Sequence, residues 1–156
     1  MDAPALPAEG GCRCGALRVR ITAQPIVTSA CHCRGCQRMS ASAFSLTVTL
    51  PEGGLVVVAG ETILGGLRGD DAQHHHCPKC LSWVFTTAPA LARFVNLRAT
   101  MLDDPSWFAP FLETYTIERL PWAVTPARHS FERFPSVESY MALSEEYAKI
   151  LGSKEN

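Results

Sequence analysis

The chain has 156 residues, a length that fits one domain with a hydrophobic core of its own. Its composition is that of a globular protein, with 47% hydrophobic and 19% charged residues. The formal net charge of −1 argues against nucleic-acid binding, because domains that bind phosphate backbones are usually clearly basic. No apolar run is long enough to cross a bilayer, so we expect no membrane-spanning segment.

The seven cysteines are many for a chain of this length. Their number is odd, and the first residues lack the apolar stretch of a secretory signal peptide. Disulfide-rich proteins are usually small and secreted, so a disulfide framework is the less favoured interpretation. We therefore expect a cytoplasmic protein whose clustered cysteines bind metal or take part in catalysis.

The N-terminal part of the chain predicts an arm, a metal-binding turn and a strand. Residues 1–9 are rich in alanine and proline, which predicts a flexible arm. Glycines then surround Cys12 and Cys14 and allow the backbone turns that bring both thiols to one metal. Residues 17–22 alternate apolar and polar side chains, which predicts a strand with one solvent-facing side.

The middle of the chain predicts a series of strands and little helix. Residues 44–50 alternate strictly between apolar side chains and serine or threonine, the strongest strand pattern in the sequence. The consecutive valines of residues 55–59 predict a strand that is buried on both faces. Shorter strands are predicted at residues 26–30, 62–67, 83–87, 94–100 and 112–118. The predicted fold class is therefore mainly β.

Residues 136–151 predict the one long helix, with Ser136 as its N-cap. Its apolar residues recur at helical spacing at Val137, Tyr140, Met141, Tyr147, Ala148 and Leu151. This stripe packs either on the domain or on a second subunit of a homodimer. The predicted organisation is an N-terminal arm at 1–9, a β domain at 10–135 and a C-terminal helix at 136–151.

Three thiols lie within six positions at Cys31, Cys33 and Cys36. A Cys-x-x-Cys loop turns tightly enough to place two sulfurs on one metal, and Cys31 adds a third sulfur. Three protein ligands are the number found in zinc sites that keep one coordination position open. Two hypotheses remain for the fourth position: a histidine closes the site, either His32 or one of residues 74–76, or water or a substrate occupies it.

The other four cysteines form two pairs, Cys12 with Cys14 and Cys77 with Cys80. Spacing alone does not establish which thiols share a metal, but split pairs of this kind resemble those of zinc ribbons. We expect the two pairs to form a closed structural zinc site, whose binding free energy would contribute directly to folding.

An open zinc on three thiolates would favour sulfur chemistry. The three thiolates over-neutralise the ion and leave a formal charge of about −1. Such a zinc is a weak Lewis acid that suits soft ligands, so a thiol would bind as the thiolate and could add to a small carbonyl. Arg34 and Arg38 flank the cluster and are candidates for offsetting this charge or for holding substrate carboxylates. The alternative for both is a solvated surface arginine.

The cysteine pattern resembles that of the glutathione-dependent formaldehyde-activating enzyme family. The resemblance rests on Gly11–Gly15, Cys31–Cys36 and Cys77–Cys80, with weaker markers at Leu102–Pro105 and Leu120–Trp122. It implies a mainly β, Mss4-like fold of several small coiled antiparallel sheets that are held together by zinc.

The resemblance also implies an activity, that of a carbon–sulfur lyase that attaches formaldehyde to the thiol of glutathione as S-hydroxymethylglutathione. The partners would be a small thiol such as glutathione and an aldehyde. The implied ligand sets are Cys12, Cys14, Cys77 and Cys80 for a structural zinc, and Cys31, Cys33 and Cys36 for a catalytic zinc. A non-catalytic, Mss4-like binding module with two structural zincs is the alternative, and a fourth protein ligand on the Cys31 zinc would favour it.

Three positions depart from the family pattern. Leu81 stands where many members have glycine, His74 where many have arginine, and Glu113 where many have histidine. If Glu113 faces the substrate, its carboxylate would repel the carboxylates of glutathione. We therefore expect Arg34, Arg38 and Glu113 to set the thiol preference, with glutathione bound no more tightly than a thiol that lacks carboxylates.

Overall fold

A computed structural model describes residues 3–67, 72–88 and 93–152. The strands are β1 Ala8–Gly11, β2 Arg18–Ile21, β3 Val27–Cys31, β4 Ser45–Pro51, β5 Leu55–Ala59, β6 Ile63–Gly65, β7 Gln73–His76, β8 Trp83–Thr87, β9 Phe94–Arg98, β10 Leu112–Thr114 and β11 His129–Ser130. The helices are α1 Arg34–Ser40 and α2 Val137–Gly152, and 3-10 turns span Ala99–Met101 and Thr116–Glu118. The predicted fold class, mainly β with a C-terminal helix, is confirmed.

The strands form two sheets within the described residues. β1, β2 and β5 make a three-stranded antiparallel sheet. The other strands make a single sheet in the order β11-β10-β3-β4-β9-β8-β7-β6. This second sheet is larger than the small sheets predicted, and β10 runs parallel to both β3 and β11. A parallel neighbour requires a long connection, and the chain between β3 and β10 provides one.

β10 is shorter than the strand predicted at residues 112–118. It ends at Thr114 because Tyr115 takes a φ of 56°, which turns the backbone into the 3-10 helix that follows. The alternation of residues beyond Thr114 therefore reflects this turn rather than a continued strand.

The main hydrophobic core joins the two sheets. Leu17, Val19 and Ile21 of the first sheet region pack with Val48 and Leu50 of β4, and all five are fully buried. The alternation predicted for the strand that became β2 is confirmed, because its apolar positions face this core.

β4 is buried on both faces, for two different reasons. Val48 and Leu50 lie in the main core, whereas Ser45, Thr47 and Thr49 on the opposite face are only 2%, 7% and 4% exposed. These three hydroxyl residues line a cavity that is described below. The polar side of the strongest strand pattern therefore marks a site rather than a solvent-facing surface.

β5 contradicts the prediction of a strand buried on both faces. Val56, Val57 and Val58 are 43%, 40% and 40% exposed. β5 is an edge strand, and in the described residues it pairs with β2 alone. A short apolar run has the same pattern in a central strand and in an edge strand, so only the sheet order decides between them.

The N-terminal arm is shorter than residues 1–9. Residues 1 and 2 lie outside the described residues, but Ala8 and Glu9 belong to β1, which pairs with β2. Arg20 donates to Glu9 Oε1 at 2.6 Å. Pro4 is buried, and Ala3 packs against the smaller core beneath α2. Alanine and proline in this segment supply small apolar contacts instead of a loose chain.

α2 begins as predicted, but it buries a different face. Ser136 Oγ accepts a hydrogen bond from the Ser139 amide at 3.2 Å, which is the expected N-cap. Val137 and Met141 of the predicted stripe are 77% and 62% exposed. The residues that α2 buries are Leu143, Tyr147 and Leu151. Neither α2 nor any other helix of the described residues is long and apolar enough to span a membrane.

The buried face of α2 packs on its own chain. Tyr147 is fully buried, and its ring centroid lies 5.2 Å from that of Phe111. Both residues belong to a second core that includes Val27 of β3. The domain itself therefore covers the buried face of α2, whereas Val137 and Met141 of the predicted stripe stay exposed.

Replacing Tyr147 with alanine should lower the free energy of unfolding by about 3–5 kcal/mol, because loss of a buried aromatic ring leaves a cavity beneath α2. Met141→Ala, on an exposed position of the same helix, is the control and should change it by less than about 0.5 kcal/mol. Urea unfolding followed by circular dichroism measures both variants. Equal effects would show that α2 does not pack on the domain.

Candidate metal centres

Cys12, Cys14, Cys77 and Cys80 come together from two distant segments, and their sulfur atoms all lie within 4.8 Å of one another. Cys12 Sγ is 3.5 Å from Cys14 Sγ, which is 3.8 Å from Cys77 Sγ. Sulfurs bound to one tetrahedral zinc are about 3.8 Å apart, whereas a disulfide bond is about 2.05 Å long. The spacing fits a four-thiolate metal site, and all seven cysteines are free.

The first pair of this group sits on a tight turn. Gly15 has a φ of 74°, and its amide donates to the Cys12 carbonyl at 2.9 Å. The Leu17 amide donates to Cys12 Sγ at 3.3 Å. The turn requires a residue that tolerates positive φ, and the N–H···S bond favours the thiolate form of Cys12.

The second pair sits on a turn that places Leu81 in the left-handed region. The φ of Leu81 is 58°, and its amide donates to the Cys77 carbonyl at 2.9 Å. The side chain is 65% exposed, so no packing compensates for this conformation. The turn therefore holds Leu81 in a conformation that favours glycine, at a cost in backbone strain.

Cys31, Cys33 and Cys36 form the second thiol group, and their sulfur atoms also lie within 4.8 Å of one another. Cys31 ends β3, and Cys33 is the N-cap of α1, where its Sγ accepts from the Cys36 amide at 3.3 Å. The step from strand to helix directs the three side chains to one point.

The thiols of this group lie close enough to shift one another's pKa values. A hydrogen bond from Cys36 lowers the pKa of Cys31 to about 5, and the same bond raises the pKa of Cys36. A divalent metal would displace the protons of these thiols, as metals do when they bind thiols.

No histidine or carboxylate of the described residues joins these three sulfurs. His32 is fully buried and directs Nε2 to Glu113 Oε2 at 3.0 Å. The histidines at 74–76 bond to hydroxyl or carbonyl groups of neighbouring strands or of their own strand. Of the two hypotheses for the fourth position, the geometry favours the one without a protein ligand.

A cavity of about 210 Å³, here called the polar cavity, lies beside Cys31 and Cys36. Its wall includes Thr47 and Thr49 of β4, His74 of β7, Trp83 and Thr86 of β8, and Asn96 and Arg98 of β9. The hydroxyl, amide, imidazole and guanidinium groups of four adjacent strands thus converge on the three-thiol group. A substrate that reaches the thiols would meet these groups first.

The chain after β11 supplies one wall of the polar cavity. Phe134 and Tyr140 both border it, and their rings are stacked at 5.6 Å with an interplanar angle of 21°. The Tyr140 hydroxyl donates to Thr49 Oγ1 at 3.5 Å. The helical spacing of Tyr140 predicts a packing residue, and only the fold brings it to the site.

Arg34 and Arg38 do not border the polar cavity. Both are exposed on α1, where Arg34 donates from Nη1 to Gln37 Oε1 at 2.8 Å. Their placement matches the alternative of solvated surface arginines. The arginine that does border the cavity is Arg98, which was not among the residues predicted from the sequence. The sequence feature that could have indicated it is a charged residue at the end of a predicted strand.

Glu113 lies on the face of β10 opposite the polar cavity. Leu112 and Thr114 border the cavity, and alternation along the strand turns Glu113 the other way. Its carboxylate is 2.7–3.0 Å from polar atoms of His32, Arg119, Thr125 and Ser130. The expectation that Glu113 repels substrate carboxylates required Glu113 to face the substrate. Its carboxylate instead forms hydrogen bonds with groups on the other side of the strand.

Glu113→Gln should lower the free energy of unfolding by about 1–3 kcal/mol near neutral pH, because buried donors lose a charged acceptor. Burial raises the pKa of Glu113, but hydrogen bonds from Ser130, Thr125 and His32 outweigh it and lower the pKa. The carboxylate therefore stabilises the fold above its unfolded pKa, and this contribution is lost as the pH falls through the folded pKa.

Urea unfolding of both proteins over a series of pH values measures this effect, and the difference between them should shrink in acid. Glu132→Gln, at an exposed position, is the control. A difference that stays constant down to the lowest pH would show that the charge of Glu113 is not what the network uses.

Leu81→Gly should raise the free energy of unfolding by about 1 kcal/mol, because glycine adopts a positive φ without a steric penalty. The control is Leu67→Gly, since Leu67 is 90% exposed and its φ is not positive. There the added freedom of glycine should leave stability unchanged or lower it. Thermal unfolding compares the two; a gain at both positions would assign the effect to side-chain removal.

Comparisons with known proteins agree with this geometry. The family model described as glutathione-dependent formaldehyde-activating enzyme matches residues 7–118, which include both thiol groups but neither Phe134 nor α2. A crystal structure of a Rhodobacter sphaeroides protein has the same fold, with a TM-score of 0.51 and 20% identity over 61% of this chain and 87% of that chain. The curated proteins contain no match. Because the family model covers most of its length, the chain belongs to the glutathione-dependent formaldehyde-activating enzyme family.

Proposed function

We propose that the protein is a zinc-dependent carbon–sulfur lyase that joins a small thiol, such as glutathione, to an aldehyde such as formaldehyde. The observation that carries this proposal is the three-thiol group of Cys31, Cys33 and Cys36, which borders the polar cavity and has no fourth protein ligand among the described residues. Family membership supports the reaction class.

Zinc suits both thiol groups, because it is borderline soft and takes thiolates in tetrahedral sites. Cys12, Cys14, Cys77 and Cys80 would hold a structural zinc, and the three-thiol group would hold one with a free position. When bound there, zinc lowers the pKa of an incoming thiol so that it binds as the thiolate. Seven free thiols fit a reducing compartment, and we assign the protein to the cytoplasm on that basis.

His74 is the group best placed to move the substrate proton. Burial and then the nearby charge of Arg98 lower its pKa, so its imidazole is neutral at physiological pH. Nδ1 of His74 is 2.9 Å from Thr86 Oγ1, so Nε2 is the ring nitrogen that would accept the substrate proton. In the proposed step the thiol gives its proton to His74, the sulfur forms a bond to the carbonyl carbon, and the resulting oxyanion takes a proton back.

Cys36→Ser should retain the fold, lose one zinc per chain and lose the reaction. The four-thiol group already connects the two segments, so the strands around Cys36 do not need the second metal. Zinc is counted by elemental analysis, and exchange between formaldehyde and its thiol adduct is measured by NMR. The unmodified, zinc-loaded protein should accelerate that exchange, and Cys36→Ser should not.

Cys77→Ser is the matched control and should give unfolded or insoluble protein, because structural zinc contributes on the order of 10 kcal/mol of binding free energy to folding. Unfolding of Cys36→Ser as severe as that of Cys77→Ser would mean that both metals are structural. A zinc-loaded protein that does not accelerate the exchange would favour the non-catalytic binding module.

A further inference from the structure

Arg98 is a buried cation without a carboxylate partner. It is 8% exposed, and no ion pair between the described residues includes it. Nη1 donates to Ser45 Oγ at 3.3 Å, Nη2 donates to the Asn96 carbonyl at 3.2 Å, and Nε has no partner. A guanidinium has about five N–H donors, so most of them are unused here. A buried charge is costly unless an anion meets it.

The guanidinium is held in one orientation by Trp83. Its central carbon lies 4.2 Å from the centroid of the indole ring. The ring is itself fixed, because Trp83 Nε1 donates to Thr86 Oγ1 at 3.0 Å. A planar guanidinium stacked in this way presents its free N–H groups in a defined direction, which suits bidentate binding of a carboxylate.

The position of Arg98 connects it to the three-thiol group. Ser45 Oγ accepts from Arg98, and Ser45, Arg98 and Cys36 all border the polar cavity, so the cation and the metal-binding sulfur face the same space. Burial lowers the pKa of Arg98 to about 10, a value at which it stays charged at physiological pH. A thiol bound beside Cys36 would therefore have a cation within a short chain length of its sulfur.

Arg98 borders two cavities, the polar cavity and a neighbouring one of about 410 Å³. Of these two, the polar cavity is the one that Cys31 and Cys36 border, so a ligand whose sulfur lies at the three-thiol group occupies the polar cavity. Its volume of about 210 Å³ is below the roughly 300–1,000 Å³ of pockets that enclose drug-sized ligands. The stacked rings of Phe134 and Tyr140 bound it on one side. A compact thiol fits this space better than a tripeptide.

On the basis of the proposed function, we infer that Arg98 binds a carboxylate of the thiol substrate and that this substrate is a short mercaptocarboxylate. The carboxylate would occupy the unused N–H groups of Arg98 while the sulfur lies at the three-thiol group. Arg98 is thus the residue that sets thiol specificity, in place of Arg34 and Arg38.

The test compares 3-mercaptopropionate with its methyl ester, which has the same sulfur and carbon skeleton but no charge. Isothermal titration into the zinc-loaded protein measures both affinities, and their ratio is compared between variants, which cancels the intrinsic difference between the thiols. The acid-to-ester ratio should fall roughly ten- to hundredfold in Arg98→Gln, the range expected for hydrogen bonds to a charged group. Arg38→Gln, an exposed control, should leave the ratio unchanged.

Three other outcomes would overturn the carboxylate site at Arg98, its role in binding substrate, or the size of the ligand. A ratio that Arg98→Gln does not change would show that no carboxylate binds Arg98, while thiol binding itself would keep the proposed function intact. Equal weakening of both thiols together with loss of zinc would show that Arg98 balances the thiolates instead. Tighter binding of glutathione than of 3-mercaptopropionate would overturn the size limit.

Two measurements keep the test decisive. If Arg98→Gln does not fold, Arg98→Lys retains the charge without the planar fork and should lower the ratio by less than the loss predicted for glutamine. Propionate, which has no thiol, should compete with 3-mercaptopropionate in the unmodified protein. If propionate binds as tightly as 3-mercaptopropionate and the methyl ester does not bind, the proposed function is overturned and the carboxylate site remains. If neither propionate nor either thiol binds, both proposals are overturned together.

Discussion

The convergence of two cysteine pairs from distant parts of the chain is the constraint on which the rest of the structure depends. Cys12 and Cys14 precede β2 of the small sheet, and Cys77 and Cys80 lie between β7 and β8 of the large sheet. Bringing their sulfurs within 4.8 Å joins the two sheets at one edge of the main core. The binding free energy of a metal held there would offset the loss of chain entropy that comes with closing the long loops between non-local strands.

The three-thiol group is supported from the opposite side by a buried polar network rather than by a second metal ligand. His32, between Cys31 and Cys33 in the sequence, turns away from the sulfurs toward Glu113 on β10. Because β10 runs parallel to β3, this contact connects the thiol loop to a strand that is far away in sequence. Glu113 thus helps to orient the loop that carries the three thiols, which is the usual role of groups behind a metal site.

The polar cavity combines a family framework with a segment that the family model does not cover. Thr47, Thr49 and Arg98 come from the matched residues, whereas Phe134 and Tyr140 follow them. The core beneath α2 packs against Tyr140, whose ring stacks on the largely exposed ring of Phe134. A cavity that is bounded in part by a segment outside the family match would allow one chemistry to serve different thiols.

The sequence by itself determined the ligand groups, the mainly β class and the C-terminal helix, because cysteine spacing, alternation and capping are local properties. It could not distinguish the exposed edge strand β5 from a buried one, since sheet order depends on contacts distant in sequence. Nor could it separate Arg34 and Arg38, adjacent to the thiols in sequence, from Arg98, adjacent to them in space. Only the tertiary structure decided which side chains face the cavity, because β4, β9 and β10 come together through pairings that no local pattern encodes.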